Sequence, residues 1–329
     1  MGRFLESEKK RLSIFTTTSN YFSEEAREDG EYKGKPRPFC LPRSYSDENV
    51  YSGIREEVIE YFTNYEIKWH DAIDKKPSNH LCDSMVCSIN FLFPFAYEPF
   101  ALKELLFPLF PNIKQVLPME KEDQYLSMEW IGKENYLGEK MPRHGKRTRG
   151  ANFTSTDAAV MFERTDGQKQ IVLIEWKYTE TYYSTYLKYA KSGTDRTKIY
   201  SHLFNEDNKI IDKDLLPSFD SLFFEPFYQF MRQQYLAKKM EEARELGADI
   251  VSLLHIAPSH NMDFRRITSP DLQHLGGSAT DVWDIIVKKP GRFISVSTEN
   301  LFETFEISHF PELKDWLRYI TSRYPWVNE

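Results

Sequence analysis

The sequence predicts an α/β fold in which helices flank a central mixed sheet. Apolar residues recur at helical spacing in the early part of the chain, which predicts helices at 49–65, 80–93 and 99–110. Alternating and β-branched residues then predict strands at 124–131, 153–163, 170–177, 250–257 and 293–297. A long helix from Pro226 to Gly247 separates the third strand from the fourth. Three consecutive strands followed by a helix and another strand are typical of one α/β unit.

The chain is predicted to contain one large domain preceded by an arm. Residues 1–48 combine glycines, prolines and charges with little periodicity, so we predict an irregular N-terminal arm that packs onto the body through aromatic residues. Residues 49–329 form the predicted domain, with an N-terminal helical extension before the sheet and a closing helix at 312–324. The tyrosine-rich stretch 179–190 is also predicted to be helical.

Composition excludes several classes of protein. The 329 residues are 40% hydrophobic, enough for a packed core, and no run approaches the ~20 apolar residues of a membrane span, so we predict no membrane partner. Three cysteines without metal-site spacing argue against a disulfide scaffold or a zinc site and predict a reducing, cytoplasmic location. The net charge of −7 argues against nucleic acid as a partner, but residues 139–149 hold five basic residues against one acid.

Three charged residues stand at the ends of two predicted strands. Asp157 lies on one strand, and the apolar run of the next strand ends in Glu175, Trp176 and Lys177. Side chains alternate along a strand, so Glu175 and Lys177 share a face. Asp157 joins that face only if the turn at Asp166 and Gly167 contains an odd number of residues or a bulge. We therefore predict a three-residue or bulged connection there.

Two carboxylates placed next to each other repel, and a buried site tolerates this when a hard cation lies between them. The acidic pair therefore predicts Mg²⁺ or Mn²⁺ as cofactor, with open positions for water and phosphate oxygens. Such a metal activates water and neutralises charge on a scissile phosphate. Lys177 would orient or help deprotonate the water and stabilise the transition state.

The strings TSTDAAV (154–160) and IVLIEWKYTE (171–180) resemble the two halves of the PD-(D/E)XK nuclease signature, with Ser155 and Thr156 where the proline of the signature would stand. The resemblance implies a restriction-endonuclease-like αβββαβ core, Asp157 and Glu175 as metal ligands and Lys177 as the catalytic lysine. Residues 79–95, 177–180 and 290–293 are similar to a family of bacterial proteins classed as restriction endonucleases.

Further residues are candidates for the same site. In similar nucleases a helix bearing a glutamine lines the site, which implies roles for Gln229 in catalysis and Arg232 in substrate binding, although an ordinary helix face is the alternative. The basic loop, residues 139–149, precedes the strand of Asp157. We therefore predict that three of its residues bind phosphates: Lys146, Arg147 and Arg149. The alternative is an ordinary solvated loop. A third carboxylate is left open between Glu57 or Glu60 and Glu129. Ser84 and Asn90 interrupt an apolar helix and are interpreted as hydrogen-bonding groups behind the site.

These patterns predict a metal-dependent nuclease that hydrolyses phosphodiester bonds, with DNA as the expected partner and RNA left open. Restriction, repair and phage defence are equally compatible with them. Cutting of both strands of a duplex would predict a homodimer, because each site cuts one strand. The alternatives are a nucleic-acid-binding module that has lost cutting, and a scaffold protein in which Glu175 and Lys177 form an edge-strand ion pair.

Overall fold

The computed structural model describes residues 2–70, 75–121, 123–142, 145–151, 153–206 and 210–328. Its helices in chain order are α1 (Arg3–Thr18), α2 (Arg55–Asn64), α3 (Ser84–Leu92), α4 (Pro99–Leu106), α5 (Thr197–Asn205), α6 (Phe227–Glu242), α7 (Ala279–Ile286), α8 (Thr298–Phe302) and α9 (Lys314–Arg323). Its strands are β1 (Gly30–Tyr32), β2 (Lys35–Arg37), β3 (Ile113–Leu117), β4 (Leu126–Trp130), β5 (Thr156–Arg164), β6 (Lys169–Trp176), β7 (Ile250–Ala257) and β8 (Phe293–Ser297).

The central sheet is mixed, as predicted. Its strand order is β3-β5-β6-β7-β8, and β4 also pairs with β5. Strands β3, β4 and β6 run antiparallel to β5, whereas β6, β7 and β8 are parallel to one another. The prediction of an α/β fold with helices around a mixed sheet is therefore confirmed, although β3 was not predicted.

Hydrophobic side chains pack against both faces of the sheet. On one face, residues such as Val160 and Leu254 pack with helices α1 to α4 and α9. On the other face, residues such as Leu173 and Leu253 pack with α5, α6 and α7. Because β6 and β7 are covered on both faces, their sequences are nearly continuous apolar runs.

Two predicted segments differ in the structure. The N-terminal arm is not irregular throughout, because Arg3–Thr18 is α-helical and buries Leu12 and Phe15 on one narrow face of an otherwise polar sequence. The tyrosine-rich stretch 179–190 is not helical. Its tyrosines at positions 183, 186 and 189 face solvent, whereas Tyr182 and Leu187 pack on the core. Residues five positions apart do not share a helical face, so a helix there would not bury both, and tertiary packing supplies most helix stability.

In the described part of the chain, no single helix is long and apolar enough to cross a membrane. The pair 84–95 and 99–106 meets that test only by length and composition, with a bend of 116° between its halves.

The hairpin between β5 and β6 sets the register of the sheet. Arg164 N donates to Gln168 O at 2.8 Å and Gly167 N donates to Arg164 O at 3.0 Å, so the loop consists of Thr165, Asp166 and Gly167. Gly167 has a φ of +84°, the left-handed conformation that closes a three-residue hairpin loop. The predicted three-residue connection is confirmed.

We expect Gly167→Ala to lower the melting temperature by about 1–2 °C, because a left-handed conformation costs a residue with a Cβ atom roughly 1 kcal/mol. Thermal denaturation followed by circular dichroism measures the effect. The matched control is Gly277→Ala: the φ of Gly277 is outside the left-handed region, and the nearest atom to an added Cβ is Asp281 Oδ2 at 3.7 Å. Equal effects of the two substitutions would contradict the assigned loop geometry.

Candidate active site

Three carboxylates from adjacent strands lie side by side on the face of the sheet that α6 covers. Ala158 pairs with Ile174, so continuing the register by one residue places Asp157 opposite Glu175. On the other side of β5, the pairs Met128–Ala158 and Trp130–Thr156 flank Glu129, which places Glu129 opposite Asp157. Neighbouring strands are about 4.8 Å apart. We call Glu129, Asp157 and Glu175 the acidic row.

Glu175 is the most constrained member of the acidic row. It is buried, and Lys177 Nζ donates to its Oε1 at 2.6 Å. From α6, Gln229 Nε2 donates to Oε1 at 2.8 Å and Gln233 Nε2 donates to Oε2. A carboxylate offers about four acceptor positions, so three are filled and about one is left for a further ligand.

Asp157 and Glu129 are less fully satisfied. Asp157 Oδ2 accepts from Trp176 N at 2.6 Å, and Glu129 Oε2 accepts from Ser155 Oγ at 3.0 Å. Their other oxygens accept no hydrogen bond from the residues that the structure describes. Burial, reinforced by the charge of Glu175, raises the pKa of Asp157 well above its ordinary value. Burial raises the pKa of Glu129 to about 7, although the hydrogen bond from Ser155 opposes the shift.

The backbone of Glu129 is strained. Its φ is +50°, in the left-handed region that residues with a Cβ atom rarely occupy, although it lies within strand β4. Such a conformation costs of the order of 1–3 kcal/mol and persists only where the surrounding structure enforces it, most often at functional sites. The strain therefore supports a role for Glu129 beyond strand pairing.

The acidic row suits a hard cation by its chemistry. Among residues outside the gaps in the description, no three His, Cys, Asp or Glu side chains already converge closely enough to hold a metal. The row nevertheless offers oxygen ligands, unfilled carboxylate positions and mutual repulsion that the single Lys177 ammonium does not neutralise. Oxygen ligands of this kind are what Mg²⁺ prefers. Asp157 and Glu175, with Glu129 as the third carboxylate, fit such an ion.

Helix α6 presents its polar stripe to the site. Gln229 and Gln233 are four residues apart, on one face of the helix, and both reach Glu175. Arg232 Nη1 donates to Thr154 Oγ1 at 3.2 Å, and its guanidinium lies 4.6 Å from the centre of the Tyr228 ring. Gln233 is fully buried and was not predicted as a site residue. Because Gln233 follows Gln229 by one helical turn, the sequence places both on the same face of α6, and this spacing could have indicated Gln233 as a site residue.

The basic loop makes mostly protein contacts. Lys146 pairs with Glu66 at 2.6 Å between exposed side chains. Arg147 donates to the carbonyl oxygens of Ile131 and Gly132. Arg149 donates to Tyr61 Oη at 3.1 Å and pairs with Glu120. A phosphate would have to displace these contacts, so phosphate binding by these residues stays a prediction; Arg143 of the same loop lies outside the described residues.

The remaining predicted residues lie away from the acidic row. Glu57 and Glu60 are exposed on α2, whose apolar side chains pack on the opposite face of the sheet. Ser84 Oγ donates to Trp176 O at 3.4 Å, behind β6. Asn90 is fully buried, accepts from Tyr51 N at 2.8 Å and donates to Asn49 O at 3.1 Å. Asn90 thus has the buried hydrogen-bond partners that its place in an apolar helix predicted.

His255 is a second residue that the sequence did not single out. His255 lies opposite Glu175 in the backbone register of β7 and β6. Neither of its ring nitrogens has a hydrogen-bond partner in the described structure. Its ring is stacked on Phe264 with 4.9 Å between centres. Burial, assisted by the positive charges of Lys177 and Arg265, holds the pKa of His255 well below its ordinary value. It therefore places a neutral imidazole beside the charged pair of Glu175 and Lys177.

A mixed sheet that carries an acidic row and a lysine on one face is consistent with a nuclease-like protein. A family model described as "Restriction Endonuclease associating with ARP" matches residues 9–325, and the chain therefore belongs to this family. No curated protein and no solved structure matches the chain. The resemblance to restriction endonucleases is thus confirmed at the level of the family, which indicates a nuclease-like function. The PD-(D/E)XK roles of individual residues stay predictions.

We expect Glu129→Gln to raise the melting temperature at neutral pH in EDTA. Because the pKa of Glu129 is about 7 in the folded protein and 4.5 ordinarily, the folded state binds more protons between these values. Wild-type stability therefore falls as pH rises through this window, and the amide removes this loss. The melting temperatures should differ by roughly 1–2 °C per kcal/mol of relieved destabilisation near pH 7.5 and converge towards pH 4.5. A difference that does not change with pH would contradict the pKa.

Proposed function

We propose that this chain is a metal-dependent nuclease that hydrolyses phosphodiester bonds, with DNA as the substrate that its family favours. The observation that carries the proposal is the acidic row beside Lys177, with Glu175 buried and fixed by three donors. A scaffold protein with an edge-strand ion pair is disfavoured, because β6 lies between β5 and β7 and is not an edge strand.

Asp157 and Glu175 would hold Mg²⁺ or Mn²⁺, with Glu129 as the third carboxylate. When bound, the ion would activate a water molecule and neutralise charge on the scissile phosphate. The residues of the chain supply orientation. Gln229 and Gln233 donate to the Glu175 carboxylate and hold it in place, as hydrogen-bond donors to metal ligands do in other metal sites. Cutting of both strands would require two such sites, and hence a homodimer.

Lys177 acts in this proposal as a positive charge. Burial is the largest single effect and disfavours the ammonium form, but Glu175 together with the other acidic groups around it, including Glu180 and Asp157, raises the pKa of Lys177 well above its ordinary value. At neutral pH it is therefore protonated and suited to stabilise a phosphate oxygen or orient water. It is poorly suited to accept a proton from the water. This favours the stabilising role over the deprotonating role that the sequence left open.

Lys177→Ala and Asp157→Asn are each expected to lower the cleavage rate about 100- to 1000-fold, because each removes a charge that acts on the transition state. Cleavage of plasmid, linear duplex and single-stranded substrates should be measured with Mg²⁺, Mn²⁺ or EDTA. Cleavage by the wild type should require the metal.

The matched controls lie at the other ends of the same strands. Lys169→Ala changes an exposed lysine of β6 and Glu163→Gln changes a half-buried acid of β5, both away from the acidic row. Both should leave cleavage unchanged. If the wild type binds nucleic acid but cuts none of the substrates with either metal, the catalytically silent binding module replaces this proposal.

Gln233→Leu tests the metal site separately from the reacting lysine. Loss of its hydrogen bonds to Glu175 and to Ser155 O should raise the Mg²⁺ concentration for half-maximal cleavage about 10- to 100-fold, because groups that donate to a metal ligand keep that ligand oriented towards the metal. The control is Gln234→Leu, since the neighbouring Gln234 is equally buried but donates only to Arg292 O. An unchanged Mg²⁺ requirement in Gln233→Leu would contradict the metal-holding role of Glu175.

A further inference from the structure

Three exposed tyrosines lie close together in sequence on the segment that follows Lys177. Tyr183, Tyr186 and Tyr189 expose 55%, 44% and 59% of their surface, within seven residues of chain. We call these three residues the tyrosine platform. Single exposed apolar residues are ordinary, but clustered exposed rings mark binding surfaces. Contacts with the body of the protein fix Tyr186, which stacks on Phe224 with 5.2 Å between ring centres and donates to Asp220 at 2.7 Å.

Positive charge accompanies the tyrosine platform. Residues 182–200 contain one acid, Asp195, and four basic residues: Lys188, Lys191, Arg196 and Lys198. Lys188 pairs with Asp220 at 3.0 Å, which leaves Lys191, Arg196 and Lys198 against Asp195, a local excess that contrasts with the net charge of −7 for the whole chain. Aromatic rings interleaved with cations are typical of surfaces that stack bases and neutralise phosphates.

A cleft of about 800 Å³ joins this segment to the surroundings of the candidate active site. Its walls include Ala190, Thr194 and Arg196 from the segment and Tyr228 and Arg232 from the region of α6. The guanidinium groups of Arg196 and Arg232 lie 5.4 Å and 4.6 Å from the centre of the Tyr228 ring. The volume is within the range of about 300–1000 Å³ that holds small ligands.

Arg232, on the wall of the cleft, is next in sequence to Gln233, which donates to Glu175 of the acidic row. This arginine donates to Thr154, three residues before Asp157, while its buried Nε has no hydrogen-bond partner in the part of the chain that is described. The cleft also contains acids, but Glu139 is turned to the protein: it accepts from Thr154 N at 2.8 Å and from Tyr200 Oη at 2.9 Å. Glu225, also on the wall, accepts from Gln229 N at 3.2 Å, and the cleft thus retains the guanidinium groups of Arg196 and Arg232 for a ligand.

We propose that the tyrosine platform and the adjoining cleft bind unpaired nucleotides of single-stranded nucleic acid and lead that strand to the acidic row. Rings that face solvent can stack only on bases whose faces are free, and a duplex hides those faces between neighbouring pairs. A surface for duplex alone would need the cations but not the exposed rings. The inference rests on the proposed function, because the strand bound here is the strand that would be cut.

The test is binding without cleavage, measured by fluorescence anisotropy in EDTA. The probes are fluorescein-labelled single strands of mixed sequence, as DNA and as RNA, and the corresponding DNA duplex. The wild type should bind at least one single strand more tightly than the duplex, and the DNA and RNA arms identify which sugar is accepted. The double variant Tyr183→Ala/Tyr189→Ala should weaken single-strand binding about 10- to 100-fold, since stacking on each aromatic ring contributes substantially to affinity. Duplex binding should not change.

Two controls make the result specific. Tyr183→Phe/Tyr189→Phe keeps both rings and should keep single-strand binding. Phe100→Ala removes a ring that is 79% exposed on α4, outside the platform, and should have no effect. Equal or tighter binding of the duplex by the wild type, or full single-strand binding by the double alanine variant, would overturn the proposal.

The same assay separates this inference from the proposed nuclease activity. Because the anisotropy assay is run in EDTA, it reports binding at the tyrosine platform whether or not the chain cleaves nucleic acid. Single-strand binding that is lost in the double alanine variant supports the platform even if no cleavage is observed. Cleavage that persists together with unchanged single-strand binding in that variant refutes the platform and leaves the nuclease proposal intact.

Discussion

The burial of the Glu175 carboxylate is the constraint on which the rest of the site depends. An unpaired buried charge costs several kcal/mol, so the fold has to supply partners for it. Lys177 comes from the same strand, whereas Gln229 and Gln233 come from α6. Helix α6 therefore packs on the sheet through apolar residues, and the same face of the helix also carries Gln229 and Gln233, which reach the site. The packing of the helix and the construction of the site are one arrangement.

The part of the site that local rules determine could be predicted from the sequence. Alternation along β6 places Glu175 and Lys177 on one face, and the odd-length loop ending in Gly167 brings Asp157 to the same face. Glu129 was only one of several candidates, because its position depends on the pairing of β4 with β5 across a long connection and on its left-handed backbone. Neither feature has a signature in the residues near Glu129.

Other features could not be predicted because tertiary contacts determine them. The spacing of the tyrosines in 179–190 is compatible with a helix, but the residues of this segment that pack on the core, Tyr182 and Leu187, are five positions apart and would not lie on one helical face, and the segment is irregular. A run of basic residues predicts phosphate contacts only if the side chains have no nearer partners. Arg147 has such partners in backbone carbonyls, and Arg149 has one in Glu120. Glu120 is distant from the basic loop in sequence, so this pairing could not be predicted. The sequence shows where charge is concentrated but not which charges remain available.

The charges around the acidic row explain why the cation and the nucleic acid require separate protein contacts. Three carboxylates face one ammonium, so the row needs further positive charge, and the raised pKa values of Asp157 and Glu129 indicate that protons supply it when no metal is bound. A metal ion would compete with those protons, which makes its binding dependent on pH. A bare acidic row would also repel a phosphate chain. If the chain binds a metal and a strand as proposed, cations outside the row, such as Arg196 and Arg232 in the adjoining cleft, would therefore hold the strand while the acidic row holds the metal.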